Sequence, residues 1–129
     1  MLAPLEADDA GLAAIRAAFE GYAAAGEGPF RGLGCLLCNT AVERGALPPA
    51  SGRYVDAYFD RLTRAFLHAL GNARRDGAID AAADVDEAAG FLTTALIGIA
   101  AGVRGEAPPA QLWAAHNVVS RVVDGLDAR

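Results

Sequence analysis

The sequence predicts an all-α domain, and three features of the chain predict it. Alanine, the strongest helix former, is the commonest residue in the 129-residue chain. Apolar side chains recur every three or four residues, whereas the two-residue alternation of half-buried strands is absent. Glycine and proline clusters divide the chain into five segments with helical periodicity. A chain of this length suits one domain, which we expect to span residues 1–129.

The first two predicted helices differ in length. The first runs from about Asp9 to Ala25, with Asp8 or Asp9 as its cap. Its apolar face consists of Leu12, Ile15, Phe19 and Tyr22. The second is short, from about Leu33 to Arg44, and the following Gly45 and prolines stop it. Its predicted buried stripe consists of Leu33, Leu36, Leu37 and Ala41.

The third predicted helix is the longest and runs from about Gly52 to Arg75. Ser51 is its expected N-cap, and Gly77 follows as its C-terminal stop. Its apolar stripe consists of Val55, Phe59, Leu62, Phe66, Ala69 and Ala73. On the solvent side, Asp60 and Arg64 stand at the i,i+4 spacing of an ion pair.

The fourth predicted helix starts at Asp84, with Glu87 three residues later as in a capping box. The segment 88–103 is apolar on almost every side, and such a helix has to be covered on every side. This uncharged run is shorter than the roughly 20 residues that span a bilayer, which favours a buried helix. Since the other helices of so small a domain cannot cover it alone, we expect a second subunit. The fifth predicted helix begins near Pro109, a residue suited to a first turn.

Composition and charge narrow the class of protein. The net charge is -5, so the domain repels phosphate backbones, and we expect no direct contact with nucleic acid. The two cysteines lie in one turn without distant partners, which excludes a disulfide framework and favours a reducing compartment. The N-terminal residues lack the basic and apolar regions of a signal peptide. We therefore expect a cytoplasmic protein that does not enter a membrane.

Cys35-x-x-Cys38 is the one candidate for redox or metal chemistry. A structural zinc site needs four nitrogen or sulfur ligands, and the sequence offers no second cysteine pair and only two histidines. Two small buried thiols are the favoured interpretation, because a free cysteine packs as a hydrophobic residue. Phosphate loops, nucleophile elbows and His-Glu metal motifs are absent from the sequence. We therefore expect neither catalysis nor a metal or cofactor.

One stretch resembles a known family. Gly34-Cys35-Leu36-Leu37, followed by Asn39-Thr40-Ala41 and Glu43, is similar to the GCL-x-x-N-x-A-x-E stretch of many TetR/AcrR C-terminal domains. The order of helices around it is that of the same family, and the resemblance covers most of the chain. It implies a five-helix bundle whose last two helices pair with their copies in a four-helix dimer interface. It also implies that the segment 2–5 is the tail of a helix that joins the sensor to a helix-turn-helix unit outside this chain.

The dimer interface is expected on the last two helices. Thr94, Gly98 and Gly102 stand at four-residue spacing, and small residues on one ridge allow a second helix to approach closely. His116 is expected to be a neutral interface residue, although a ligand contact or a pH-sensitive group is an alternative. The predicted interface residues are Phe91, Ala95, Gly98, Gly102, Leu112, His116, Val119 and Val123.

The effector is expected in a cavity between the helices. Ligand sites of this kind are apolar with a few polar groups, such as a tyrosine hydroxyl. The predicted pocket residues are Phe19, Tyr22, Cys38, Tyr58, Leu62, Phe91 and Thr94. Asn39 and Glu43 are expected to brace neighbouring helix ends and not to bind ligand.

Together these expectations describe the sensor and dimerisation domain of a TetR/AcrR-type regulator. A small apolar or amphipathic effector would favour one arrangement of the bundle and change the spacing of two DNA-reading units on the homodimer. Two alternatives remain open: a small helical thiol enzyme that uses Cys35 and Cys38, and a helical interaction module without a cavity.

Overall fold

The computed structural model describes residues 2–126, and this part of the chain is helical without a β-strand. The fold class predicted from the sequence is therefore confirmed. Two short 3₁₀ turns, Arg44–Ala46 and Pro49–Ser51, join the third and fourth helices. The α-helices are α1 (Ala3–Glu6), α2 (Leu12–Ala25), α3 (Leu36–Val42), α4 (Gly52–Arg75), α5 (Val85–Arg104) and α6 (Pro109–Asp124).

The long helix α4 is the centre of the bundle. It packs mainly against α5 and also contacts α1, α2 and α3. Phe66 of α4 stacks on Phe19 of α2 with 5.9 Å between the ring centroids, and both rings are fully buried. The predicted pair of Arg64 and Asp60 forms on the solvent side. Ser51 does not cap the helix with its side chain, because its backbone already belongs to the preceding 3₁₀ turn.

Helix α2 begins at Leu12, three residues later than predicted. Gly11 is its N-cap, and the side chains of Asp8 and Asp9 do not cap it. The carbonyls before the helix are bonded to α4 instead: the side-chain amide of Asn72 donates to Asp8 O at 3.0 Å and to Ala10 O at 2.7 Å. Asn72 is only 4% exposed, and Arg75 donates to its amide oxygen. This buried amide fixes the turn between α1 and α2 on the surface of α4.

We expect Asn72→Leu to lower the free energy of unfolding by about 2–3 kcal/mol. The substitution leaves buried carbonyl oxygens without a donor, and each such loss costs roughly 1–3 kcal/mol. Urea denaturation monitored by circular dichroism measures the change. The matched control is Asn117→Leu at an exposed position of α6, where we expect a change of about 0.5 kcal/mol or less. Equal losses in both variants would contradict a bracing role for Asn72.

The second predicted helix is shorter and oriented differently from the prediction. It covers Leu36–Val42, and its fully buried side chain is Cys38. The predicted stripe was wrong, because Leu33, Leu36 and Leu37 are 57%, 79% and 37% exposed. The preceding loop is tied to the end of α5, where Arg104 Nη1 donates to Gly32 O at 2.6 Å and Gly32 N donates to Val103 O at 3.0 Å. These long-range bonds orient α3 so that Cys38 faces the core.

The last two helices begin as predicted. Asp84 accepts a hydrogen bond from Glu87 N at 2.9 Å, and Pro109 is the first residue of α6. Helix α5 passes the length and composition criteria of a membrane-spanning helix, as core helices of soluble proteins also do. Eight of its side chains are buried against the rest of the protomer. One side is left uncovered, because Phe91 and Gly98 are exposed.

Candidate functional site

A cavity of about 290 Å³ lies where α1 meets α2, α4 and the start of α3. Ligand sites for small molecules span roughly 300–1,000 Å³, so this cavity is just below the lower limit of that range. Most of its lining is apolar, with two phenols, one thiol and one guanidinium among the lining groups. The lining residues are Leu2, Ala3, Leu5, Ala18, Tyr22, Cys35, Leu37, Tyr58, Arg61 and Leu96.

Two thiols and two phenols meet at the wall of this cavity. The hydroxyl of Tyr58 lies 3.5 Å from Cys38 Sγ and 3.8 Å from Cys35 Sγ. Tyr22 lines the same cavity as Cys35 and Tyr58. Tyr22 and Tyr58 are 5% and 8% exposed, so their hydroxyl groups meet little bulk water. The cluster therefore offers a ligand polar groups inside an otherwise apolar site.

The pKa values of the two thiols move in opposite directions. Burial raises the pKa of the Cys38 thiol to about 12, so this group is protonated at neutral pH. Burial also acts to raise the pKa of Cys35, but the nearby backbone N–H of Cys38 and the Tyr58 hydroxyl favour its thiolate. The net result is a Cys35 pKa below the ordinary value. Burial raises the pKa of both Tyr22 and Tyr58, so both phenols remain hydrogen-bond donors.

An ion pair holds α1 over the cavity. Arg61 of α4 donates to both carboxylate oxygens of Glu6, at 2.7 Å from Nε and 2.9 Å from Nη2. The hydrogen bond from Arg61 holds the pKa of Glu6 below its usual range. His68 Nε2 also lies 2.8 Å from Ala7 O, just after the end of α1. Helix α1 is thus a wall of the cavity that polar contacts attach to α4.

A second cavity of about 330 Å³ shares Tyr22 with the first. The loop before α3 and the end of α5 form much of its wall. Its lining residues are Gly21, Tyr22, Ala25, Phe30, Gly34 and Val103. Phe30 is 64% exposed at this site. Tyr22 therefore has one cavity beside the thiols and another beneath the loop.

The structure brings together some of the predicted pocket residues and separates others. Tyr22 and Tyr58 line the first cavity, and Cys38 lies behind its wall in contact with Tyr58. Phe19 and Leu62 are fully buried in the core and line neither cavity.

The structure places Phe91 and Thr94 outside the two cavities, unlike the predicted pocket. Both lie on the outer side of α5, and the Thr94 hydroxyl donates to Gly90 O at 3.1 Å. The prediction placed them inside because the sequence of α5 is apolar on every side, so it does not reveal which side faces the core.

Several lining residues were absent from the predicted pocket. Cys35 was treated as part of a Cys-x-x-Cys pair and of the family-like stretch, and Arg61 was not singled out. Leu2 and Leu5 were treated as the tail of a preceding helix. Their three-residue spacing is a helical signal, and it indicated that this turn has an apolar face.

A groove of about 410 Å³ runs along the outer side of α5 and α6. Its α5 wall consists of Phe91, Ala95, Gly98, Ile99 and Gly102. Phe91 is 41% exposed, and Val118 of α6 is 48% exposed. Val118 was missed in the sequence, although it stands three residues after the half-buried Ala115, at helical spacing. The protomer therefore presents one apolar strip on the two helices where the interface was predicted.

The predicted interface residues divide into four on α5, three buried ones on α6, and His116. Phe91, Ala95, Gly98 and Gly102 lie on the α5 side of the groove. Leu112, Val119 and Val123 are at most 5% exposed within the protomer, so they contribute little accessible surface to a contact with a partner. His116 is half-buried and meets Trp113 edge to face at 5.3 Å between ring centroids.

The residues of the motif around Gly34 hold the turn before α3 against the end of α5. Asn39 Nδ2 donates to Leu33 O at 2.8 Å and closes the turn before α3. Gly34 has φ +63 there, and its backbone approaches Arg104 and Ala100 so closely that a Cβ has no room. Asn39 therefore braces the turn, as predicted, whereas Glu43 is exposed. Within residues 2–126, no three His, Cys, Asp or Glu side chains are placed to hold a metal ion.

Comparison with known proteins agrees with this architecture. The model of the family described as "Tetracyclin repressor-like, C-terminal domain" matches residues 11–119, from the start of α2 into α6. Neither a curated protein nor a solved structure matches the chain significantly. The family match covers most of the chain and includes α2 to α5 and the groove, whereas α1, which forms one wall of the first cavity, lies before the matched residues. The chain therefore belongs to the tetracycline repressor-like C-terminal domains, which are ligand-binding and dimerisation domains of transcriptional regulators.

Proposed function

We propose that residues 1–129 form a single sensor unit in which a small molecule bound beside Tyr22 and Tyr58 changes the position of α1. In a homodimer, that change would alter the spacing of two DNA-reading units attached on the N-terminal side of the domain. The effector acts by linkage, because it shifts the equilibrium only as far as it binds one arrangement better than the other. This role requires binding without catalysis, and we place it in the cytoplasm.

The observation that carries the proposal is the contribution of α1 to the cavity wall. Leu2, Ala3 and Leu5 line the cavity, and Leu5 is 1% exposed. A molecule that enters has to pack against these side chains or displace them. Because α1 is a single short turn held to α4 by Glu6 and Arg61, it is easier to move than the long helices. Occupation of the cavity is thus coupled to the N-terminal end of the domain.

The lining indicates the chemical class of the effector. Aliphatic side chains surround most of the cavity, and the phenols of Tyr22 and Tyr58 supply hydrogen-bond donors. A compact, mainly apolar molecule with one oxygen acceptor fits this distribution. A highly charged molecule does not, because it would lose its hydration among apolar groups. Arg61 is already paired with Glu6 and is not free to neutralise an anion.

We further propose that a second copy of this chain covers the groove of α5 and α6. The groove is apolar, the family dimerises in general, and the same patch can meet itself across a two-fold axis. Gly98 is exposed at its centre, and a Cβ added there would meet no atom within 4 Å, so a partner helix can approach its backbone. The result is a four-helix contact, with α5 and α6 from each protomer.

A cavity-filling substitution tests the sensor role. Ala18→Leu adds a side chain to the cavity, whereas Ala17→Leu adds the same side chain at an exposed position of α2. Phenol and cyclohexanone, each with one oxygen acceptor, are suitable probes. A compound at about ten times its Kd stabilises the wild type by about 1.4 kcal/mol, which raises Tm by roughly 4–8 °C. We expect Ala18→Leu to remove at least half of this shift and Ala17→Leu to preserve it.

Thermal-shift assays at matched ligand concentrations give this comparison directly. Absence of any shift in the wild type, or equal shifts in wild type and Ala18→Leu, would contradict binding in this cavity. Hydrogen exchange of α1 with and without the compound then measures the coupling. Unchanged exchange at α1 on saturation would contradict the proposed transmission through this turn.

A further inference from the structure

Cys35 is the nucleophilic side chain of the first cavity. It lines the cavity, it is half-buried, and Tyr58 reaches its sulfur from α4. Neither ligand packing nor the brace around Gly34 needs a thiol at this position. The Cys35 side chain is therefore available for chemistry with a molecule that enters the cavity.

The neighbouring Cys38 is chemically different, although it is only three residues away. Its side chain is fully buried and does not line the cavity. A raised pKa keeps it as a thiol, whereas the pKa of Cys35 lies below the ordinary value. Since the thiolate is the nucleophilic form of cysteine, the half-buried and more easily ionised Cys35 is the better nucleophile of the two. Cys38 therefore serves as a control for Cys35 within the same protein.

We propose that Cys35 binds a small apolar α,β-unsaturated carbonyl compound covalently, with Tyr58 and Tyr22 beside its carbonyl oxygen. This inference rests on the proposed role of the cavity as the effector site, and it names the class of effector. The phenols supply donors for an oxygen that becomes negative during addition, and the aliphatic wall accepts the carbon skeleton.

The reaction is an addition and needs no oxidant or reductant. The Cys35 thiol loses its proton to water, and the thiolate forms a bond to the β-carbon of the compound. The carbon–carbon π pair moves toward the carbonyl, which gives an enolate whose oxygen accepts hydrogen bonds from Tyr58 or Tyr22. The α-carbon then takes a proton from water. The net change is addition of S–H across the carbon–carbon double bond, so no electrons are gained from or lost to another molecule.

The position of Cys35 connects this adduct to the rest of the domain. Its sulfur faces the cavity that Leu2, Ala3 and Leu5 of α1 close. A covalent ligand occupies that space for as long as the bond lasts, so even a weakly binding compound keeps α1 displaced. Covalent capture therefore suits a cavity of about 290 Å³, which offers a small molecule little contact area.

The probe for this proposal is 2-cyclohexen-1-one, with cyclohexanone as its saturated counterpart. We expect intact-protein mass spectrometry to show one adduct with the enone and none with the ketone. Peptide mapping should place the adduct on Cys35. The reaction at neutral pH should be at least about tenfold faster than that of glutathione, because the cavity holds the enone beside the sulfur. The rate should reach half its maximum at a lower pH than the glutathione rate, since Cys35 ionises more readily.

Four variants distinguish addition to an enone that the cavity positions from the reaction of a thiol that is merely accessible. Cys35→Ser should abolish the adduct, and Cys38→Ser should retain it. Tyr58→Phe keeps the ring but removes the hydroxyl, and it should slow addition by about three- to tenfold. Ala18→Leu should slow the enone while leaving the reaction of the small reagent iodoacetamide nearly unchanged. An adduct on Cys38, a rate equal to that of glutathione, or an Ala18→Leu rate equal to the wild-type rate would overturn the proposal.

Failure of this proposal is distinguishable from failure of the sensor role. Cys35→Ser can still be tested for reversible binding of phenol and cyclohexanone by thermal shift. If the shifts persist while the enone forms no adduct on wild-type Cys35, the covalent proposal is wrong and the sensor proposal stands. If the wild type shows neither adduct nor shift, both proposals are contradicted.

Discussion

We expect Gly98→Arg to convert the proposed dimer into a folded monomer. A Cβ added at Gly98 would meet no atom within 4 Å, so the protomer has room for the side chain. The arginine would instead project from the centre of the apolar groove toward the partner. Two-fold symmetry would bring two such charges into one interface, and overpacking alone costs roughly 1–3 kcal/mol for each copy. We expect the dimer Kd to rise by at least about a hundredfold, which corresponds to roughly 2.8 kcal/mol.

Sedimentation equilibrium across a wide concentration range measures this change. The matched control is Gly71→Arg on α4, another helical glycine where an added Cβ would find open space. That variant carries the same added charge away from the groove and should remain dimeric. Helical circular dichroism should be retained in both variants, because arginine favours helix more than glycine does. A wild-type protein that remains at 13.2 kDa at high concentration, or a dimeric Gly98→Arg, would contradict the interface.

Gly102 should behave differently from Gly98, although the two residues share the groove. A Cβ at Gly102 would meet Leu112 Cδ2 at 2.8 Å, so a substitution there disturbs the packing of α5 against α6. The sequence placed both glycines on one ridge and assigned both to the interface. Only the structure shows that Gly98 faces open space, whereas Gly102 packs against Leu112 of α6. Gly98 is consequently the cleaner position at which to test dimerisation.

Local signals were sufficient to predict the helices that have strong ends. The Asp84 cap, the Pro109 start and the long stripe of α4 depend on residues within a few positions of each other. The start of α2 was misplaced because the carbonyls near Asp8 bond to Asn72, which is more than 60 residues away. A hydrogen bond between residues so far apart in the chain produces no periodic pattern in the sequence. Helix ends set by tertiary contacts are therefore the ones that sequence patterns miss.

The candidate site was harder to predict than the fold. Tyr22 and Tyr58 were identified because each carries a polar group on an apolar face. Cys35 was not included in the predicted pocket, since its contact with the cavity depends on how α3 is turned. That orientation follows from bonds between the loop and the end of α5. A short helix with apolar residues on several sides does not specify by itself which side is buried.

Gly34→Ala tests this control of α3 and should be among the most destabilising single substitutions in the chain. Gly34 has φ +63, and a left-handed conformation costs an ordinary residue roughly 1–2 kcal/mol. Its Cβ would also lie 2.9 Å from Arg104 Cβ and 3.1 Å from Ala100 O, neither of which is the end of a flexible side chain. Adding roughly 1–3 kcal/mol for overpacking, we expect a total loss of about 2–5 kcal/mol in urea denaturation.

Substitutions at two other glycines separate the conformational cost from the cost of overpacking. Gly77 has φ +74, but a Cβ added there would meet no atom within 4 Å, so Gly77→Ala should show only the conformational cost of roughly 1–2 kcal/mol. Gly45 has open space and no left-handed φ, so Gly45→Ala should be neutral or slightly stabilising. An order of losses with Gly34 largest, Gly77 intermediate and Gly45 smallest follows from these geometries. Equal losses at Gly34 and Gly77 would mean that the loop yields to the added methyl group without cost.

The same variant connects the turn to the chemistry of the cavity. If Gly34→Ala folds under native conditions, the added methyl group should push the loop away from the end of α5 and rotate α3. Cys38 would then lose part of its burial, and its pKa, now about 12, should fall toward the ordinary thiol value. Titration with a thiol reagent at neutral pH should therefore show a second reactive cysteine in Gly34→Ala but not in Gly77→Ala. A Cys38 that stays unreactive in a destabilised but folded Gly34→Ala would show that the burial of this thiol does not depend on the turn.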